Sequence, residues 1–220
     1  MIVVMTHPRP GVSYLAGTLA SIDESATGRR VIVSDSDEPI AVPRGWELDT
    51  FVRPITQIPD NRWSLWRAFI LAVEAGQDLV VCEDDVRWCR SGARYAERLT
   101  VPADVNWVTL FDTAFRAGAP HGLWRARAPV FAYAQAIKFS LRTCRLMRAA
   151  GCLAYDRAGS DNQLAAIGAL FGLTYAVHVP SLVQHVGDVS AVGNGGLEGR
   201  TSETWRADYD PELEHNGAFV

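Results

Sequence analysis

Lysine is almost missing from this chain of 220 residues: Lys138 is the only one, and every other basic residue apart from histidine is arginine. That bias suits a GC-rich coding sequence as well as it suits forked phosphate ligands, so alone it points nowhere. Long apolar runs are missing too. Stretches such as Ala68 to Val73 stop at a charge or a glycine within a few residues, which leaves no candidate membrane span. Met1 to Pro10 lacks the charged-then-apolar layout of a signal peptide. The four cysteines (Cys82, Cys89, Cys144, Cys152) form no CxxC pair, which argues against a disulfide scaffold and a zinc ribbon. Three of them sit in hydrophobic surroundings and read as reduced, packed thiols of a cytoplasmic protein. No internal repeat and no low-complexity tract is visible. What is present is ordinary globular composition, 48% hydrophobic, 21% charged and 10% aromatic, at a length that buries a sizeable core.

Charge is distributed in blocks. The formal net charge is −4, yet residues 86–157 hold 12 Lys/Arg against 4 Asp/Glu, while residues 1–85 and 158–220 are each at −6. A basic middle third in an acidic protein suits an anionic ligand or polymer approaching that segment, or simply a mixed surface.

Met1 to Met5 reads as a buried strand ending in the breaker cluster Thr6-His7-Pro8-Arg9-Pro10-Gly11. Val12 to Ile22 has helical spacing. Arg30 to Val33 is a second buried strand, running into Ser34-Asp35-Ser36-Asp37. Asn61 to Ala75 reads as a helix capped by Asp60 or Asn61, with Trp66, Phe69, Ile70 and Val73 as its inward stripe and Gly76 as its stop. Asp78 to Cys82 is a third buried strand and leads directly into Glu83-Asp84-Asp85. Further strands are expected over 105–111, 131–139 and 173–179, and further helices over 140–150 and 161–171. Strands apolar throughout, alternating with helices, predict an α/β fold: a Rossmann-type, mainly parallel sheet covered on both faces. Residues 1–193 read as one domain, and 194–220, rich in glycine and charge, as a loosely held polar tail or a lid.

In an open parallel sheet, ligands bind outside the carboxyl ends of the strands. The first three predicted strands end in Thr6-His7, in Asp35 with Asp37, and in Glu83-Asp84-Asp85, so their polar residues should share one edge. Three successive carboxylates repel: two charges about 5 Å apart at an effective dielectric near 20 cost roughly 3 kcal/mol. Such a triplet is tolerated where solvent screens it, as in an acidic turn, or where a divalent cation neutralises it. Oxygen ligands without a cysteine suit Mg²⁺ or Mn²⁺. A second signal is Pro180-Ser181-Leu182-Val183-Gln184-His185-Val186-Gly187, in which His185 is either a satisfied core histidine or an imidazole completing a carboxylate metal site.

Taken together, the strand ending in Glu83-Asp84-Asp85-Val86 after the 61–75 helix resembles the DXD-type motif of GT-A glycosyltransferases. The segment Pro-Ser-Leu-Val-Gln-His-Val-Gly, with Ser190 shortly after, is similar to a carboxyl-terminal signature of several such enzymes, including N-acetylglucosaminyltransferase relatives. The resemblance spans roughly residues 1–190 and implies a GT-A-like fold, with 1–86 as a nucleotide-sugar half and 87–193 as an acceptor half. It implies that Asp85 and His185 hold the Mn²⁺ or Mg²⁺ that bridges the donor's diphosphate. Glu83 and Asp84 would lie against the ribose, and Thr6, His7 and Asp35 would grip the nucleoside. Arg9, Arg62 and Arg67 are candidate phosphate or nucleoside partners. The donor it implies is a nucleotide sugar, a UDP-sugar, from which a hexosyl or N-acetylhexosaminyl group is transferred with inversion. Gly159-Ser160-Asp161-Asn162 looks like the loop-to-helix junction that carries the catalytic base of inverting members, which assigns that role to Asp161, with Asp156 in reserve; Ser160 or Asp161 could equally be only the helix's N-cap.

The hydroxyl acceptor is left open between a glycan and a polyanion such as hydroxymethylated DNA. Arg87, Arg90, Arg94 and Arg98 have the spacing of one basic helical ridge; Arg125, Arg127, Arg142, Arg145 and Arg148 suggest a second patch, with Trp88, Trp107 and Trp124 interleaved. No obligate protein partner is evident. Two other classes use the same acids: a nucleotidyltransferase or phosphoryl-transfer enzyme with paired aspartates, and a non-catalytic nucleotide-binding module.

Overall fold

β1 (Ile2–Thr6) and β2 (Arg30–Ser34) carry apolar side chains on both faces, and such strands need a covering layer on each side of their sheet. The computed structural model describes residues 1–7, 12–23, 26–36, 38–51, 61–127, 134–150, 159–188 and 201–214, with the main chain alone at Asp23, Asn61, Arg62 and Arg127. In it β1 and β2 join β3 (Glu47–Thr50), β4 (Leu79–Glu83), β6 (Trp107–Thr109), β7 (Gly122–Arg127), β8 (Ala136–Phe139) and β9 (Thr174–Val179). They form one eight-stranded sheet in the order β3-β2-β1-β4-β8-β6-β9-β7. The short strands β5 (Val86–Trp88) and β10 (Val183–His185) form a separate antiparallel pair.

β1 lies between β2 and β4 and is parallel to both, Ile2 standing opposite Arg30 on one side and Val80 on the other. The chain moves outward from β1 to β2 to β3 and then returns to the far side of β1 for β4. That reversal makes a topological switch point between β1 and β4, where the diverging connections open a crevice at the carboxyl edge. The sheet is mainly parallel, as expected, but beyond β4 two strands are reversed. β8 runs antiparallel to both β4 and β6, and β7 antiparallel to β9, so the sheet is mixed, with six of its eight strands pointing one way. For β7 the reason is local: residues 110–121, which join it to β6, contain no helix, and without a crossover helix the chain re-enters the sheet at the edge where it left it.

Alternate side chains of each central strand feed two cores. Val3, Met5, Val31, Val33 and Val81 pack against α2 (Asn61–Ala75), α4 (Leu141–Ala150) and α5 (Ser160–Phe171). Ile2, Val4, Ile32, Val80 and Cys82 pack against α1 (Leu15–Asp23), α3 (Gly92–Arg98) and the β5–β10 pair. α2 has the predicted bounds, but its inward face is Leu65, Ala68, Phe69 and Ala72; Trp66, Ile70 and Val73 are half-buried at its flank. Trp66 turns its indole N–H to the carbonyl of Arg148 at 3.3 Å, which seats it in the seam between α2 and α4 instead of under the sheet. The packed thiols are as expected for Cys82, Cys89 and Cys144, all buried and free; Cys152 lies outside the described residues.

The described end of the chain is docked, not loosely held. Gln184 exchanges two hydrogen bonds with Ser202 (2.8 and 3.1 Å), and Thr204 accepts from the main-chain N–H of Ser181 at 3.0 Å. The short helix α6 (Pro211–Glu214) brings Glu212 to Arg94 and Arg98, and Tyr209 is buried in the second core. In 201–214 many polar groups are satisfied by the body of the fold; residues 194–200 and 215–220 of the expected tail or lid lie outside the described residues.

No described helix is long and apolar enough to cross a membrane.

Candidate active site

Asp84 and Asp85 are the two turn residues through which the chain leaves β4 of the main sheet and enters β5 of the small one. Both are buried, at 4% and 5% exposure, so the triplet is not a solvated acidic turn. Asp84 points into the switch-point crevice, where its Oδ2 accepts a 2.5 Å hydrogen bond from the hydroxyl of Thr6 at the end of β1. Thr18 of α1 braces the turn from behind, its hydroxyl 2.7 Å from the carbonyl oxygens of both Asp84 and Val86. Glu83, the last residue of β4, is half-buried, with its main-chain N–H bonded to the Gln135 carbonyl at 3.0 Å.

β10 pairs with β5 so that His185 stands opposite Val86, and the N–H of Val186 donates to the carbonyl of Asp85 at 2.8 Å. This register sets His185 Nε2 3.4 Å from Asp85 Oδ2, with 3% and 8% of the two side chains exposed. The gap is wider than the 2.7–2.9 Å of a charge-assisted hydrogen bond. On the other side of the ring, Nδ1 is buried without a hydrogen-bond partner among the described residues. Gly187 completes the wall: a Cβ built on it would stand 2.5 Å from Asp85 Oδ2, so no other residue lets the strand approach this carboxylate. Beyond it, Asp188 accepts a short hydrogen bond from the hydroxyl of Tyr14.

An imidazole nitrogen facing a carboxylate oxygen is a donor set that fits Mn²⁺ or Mg²⁺. Among the described residues no group of three or more His, Cys, Asp or Glu side chains gathers around one point. Two protein donors suffice for an ion that takes its other ligands from substrate phosphates and water.

Beside the acids lies a cavity of about 410 Å³ lined by Thr6, His7 and Asp84, by Ser13, Leu15 and Leu19 around α1, and by the loop Pro39 to Pro43. His7 Nδ1 lies 2.7 Å from Asp35 Oδ1, and the Asp35 side chain is 2% exposed. If the ring is neutral and Nδ1 carries the proton, that contact leaves Nε2 as the acceptor. The lining is largely apolar with a few polar groups at one end, the usual constitution of a small-molecule site.

The other sequence-predicted residues are distributed as follows. Arg67 is engaged in a two-pronged pair with Asp49 of β3 (2.8 and 2.7 Å) and does not line the cavity. Arg9, Asp37, Asp156 and Ser190 lie outside the described residues, as does the side chain of Arg62. α5 runs back from the carboxyl edge to the start of β9, so Asp161 in its first turn is at the same edge as the acids, half-buried. Gly159 holds the N-cap position, so neither Ser160 nor Asp161 is the cap.

The proposed ridge of Arg87, Arg90, Arg94 and Arg98 does not exist as one helix face. Arg87 is on β5, Arg90 in the turn after it, and Arg94 and Arg98 share Glu212. Trp88 and Trp107 are core residues, Trp107 stacked on Tyr175 with ring centroids 5.5 Å apart; of the three tryptophans only Trp124 is exposed.

Tyr14, Thr18 and the 39–43 loop were missed. Pro39-Ile40-Ala41-Val42-Pro43, an apolar run bracketed by prolines next to an acid-bearing strand end, was the available signal for the loop. Nothing local marks Thr18, which matters only because α1 folds back on the 84–86 turn. Asp112, also unmarked by any motif, holds the loop after β6 by accepting from the N–H groups of Ala114 and Phe115, while burial pushes its carboxyl above the ordinary range.

No family model matches this chain, and no curated protein matches it. The chemistry of the site therefore rests on its own atoms.

Proposed function

We propose that this protein is a metal-dependent glycosyltransferase of the GT-A type, moving a sugar from a nucleotide-diphosphate sugar to a hydroxyl acceptor. The observation that carries the reading is the facing pair of Asp85 and His185, buried 3.4 Å apart at the carboxyl edge of the sheet and next to its switch-point crevice. A pair too far apart for a good hydrogen bond, walled by a glycine, suits a shared small cation better than it suits a structural ion pair.

In this reading Asp85 and His185 hold Mn²⁺ or Mg²⁺, which when bound neutralises the charge that develops on the departing diphosphate. The cavity bounded by Thr6, His7 and Asp84 takes the nucleoside, with the His7–Asp35 pair at its polar end and the 39–43 loop over its apolar part. Thr6 and Thr18 hold the acidic turn in place from two directions. Asp161 takes the proton from the acceptor hydroxyl as that oxygen bonds to the anomeric carbon and the bond to the diphosphate oxygen breaks. Asp161 stands in the first turn of α5, at the positive end of the helix dipole.

The test is metal-dependent hydrolysis or transfer across a panel of nucleotide sugars, with Mn²⁺ binding followed separately by calorimetry. Asp85→Ala and His185→Ala should each abolish both Mn²⁺ binding and turnover while leaving the circular dichroism spectrum unchanged. Asp161→Asn should lower kcat by roughly 10²- to 10⁴-fold with Mn²⁺ binding intact. Full turnover in excess chelator would overturn the proposal. Release of pyrophosphate instead of a nucleoside diphosphate would reassign the site to nucleotidyl transfer.

A further inference from the structure

Arg142, Arg145 and Arg148 stand at three-residue intervals along α4, all exposed, and none of them makes an ion pair among the described residues. Seven other arginines each face a carboxylate, Arg29, Arg116 and Arg206 among them; exposed Arg44, Arg87 and Arg90 make no ion pair among the described residues either, but they lie on separate segments and form no row. Helix stability accounts for Arg148, a cation in the last turn at the negative end of the helix dipole, but not for Arg142 and Arg145. Like charges three residues apart repel, and Arg142 stands in a first turn that contains no acid, at the positive end of the helix dipole. Asp78, beside the start of the helix, is committed to the N–H of Leu141 at 2.8 Å.

The rest of the helix narrows the choice of partner. Its buried residues Thr143, Cys144, Met147 and Ala150 face the core, and no large hydrophobic side chain on it is exposed. Insertion into a membrane surface needs apolar side chains on the outward face, which α4 does not have. What it offers is repeated positive charge with an axial rise of about 4.5 Å between arginines. A nucleic-acid strand offers repeated negative charge at a comparable interval, about 3.4 Å of axis per phosphate. Half-buried Trp66, hydrogen-bonded to the carbonyl of Arg148, adds an aromatic side chain at one end of the row.

We propose that the α4 arginine row is a docking surface for the phosphodiester backbone of a nucleic acid. α4 starts beside Asp78, at the edge of the sheet where β4 begins, and runs toward the carboxyl edge. A strand lying along it is led toward the side of the sheet that carries Asp84 and Asp85. Where the transferase reading also holds, and only then, the docked nucleic acid is the hydroxyl-bearing acceptor.

The experiment is fluorescence anisotropy of the full chain with a labelled oligonucleotide, single-stranded and duplex, over a range of salt, without donor and with chelator present. Neither arm depends on the metal site, so failure here leaves the transferase reading standing, and the reverse. The variant R142Q/R145Q/R148Q should bind at least about tenfold more weakly, and the slope of log affinity against log salt should flatten by about two to three. The control R29Q/R116Q/R206Q changes the net charge equally and should keep its affinity within about threefold, because those arginines are already paired. R145E alone covers the case in which the triple variant does not fold. No binding by the wild-type chain, or equal losses in the two triple variants, overturns the proposal. So does row-dependent binding to anionic phosphatidylserine vesicles with none to either oligonucleotide.

Discussion

Gly187 and Asp85 are in contact so close that a Cβ on the glycine would stand 2.5, 2.8 and 2.9 Å from the Oδ2, Cβ and Cγ of the aspartate. The atoms in the way belong to a short side chain buried in a turn, so relief requires the turn or β10 to move. Gly187→Ala should therefore destabilise the fold by about 1–3 kcal/mol, the range for inserting a methyl into a packed site. It should also separate Asp85 from His185 and weaken Mn²⁺ binding. Urea unfolding and calorimetric Mn²⁺ titration of the variant check the two parts independently. A variant as stable as the parent would show that the approach of Gly187 to Asp85 is not constrained.

Arg67 reaches across from α2 to Asp49 on the edge strand β3, with both prongs of the guanidinium engaged. β3 is four residues long and, among the described residues, pairs only with β2, so the fork supplies anchorage the short ladder lacks. Arg67→Lys keeps the charge but loses the two-point geometry and should cost about 0.5–1 kcal/mol, in keeping with a partly exposed pair. Donor affinity should not change, because the guanidinium is occupied away from the cavity. A large rise in the KM for a nucleotide sugar with unchanged stability would return Arg67 to the phosphate role.

Lys138, the sole lysine, is 1% exposed on the central strand β8, where its ammonium donates to the carbonyl of Glu97 at 3.0 Å and stands 3.9 Å from Asp78. Burial holds its pKa below the ordinary lysine value, outweighing the attraction of Asp78 and Glu97. Between the lowered folded value and the ordinary unfolded one, the unfolded chain binds more protons, so this group's contribution to stability rises with pH across that window. Lys138→Met removes the titration. The difference in unfolding free energy between parent and variant should move in the parent's favour as pH rises from neutrality toward about 10.4, the ordinary lysine value. A difference independent of pH would mean that the ammonium is as well solvated in the fold as outside it.

Much of the fold was legible because its signals are local. The interiors of β1, β2 and β4 are apolar runs that end in polar residues, and α2 spans 61–75 and stops before Gly76 as expected. β5 and β10 were not legible. Each is three residues long with no pattern of its own, and each exists because the other supplies its ladder bonds. The inward face of α2 was misjudged for a related reason: several faces of that helix are apolar, and only the position of α4 selects which one turns to the sheet.

For the site, the sequence by itself determined which chemical groups are available: acids at strand ends, and an imidazole followed closely by a glycine. These follow from residue type and from the rule that strand ends carry the polar groups of an open sheet. Tertiary structure alone decided which of them meet. The β5–β10 register brings His185 to Asp85, the switch between β1 and β4 brings Thr6 to Asp84, and Glu212 on α6 takes up the charge of Arg94 and Arg98. The physical reason is range. Strand and helix preferences are settled among neighbours in the chain, whereas a pairing between residues about a hundred positions apart exists only once both cores have closed around it.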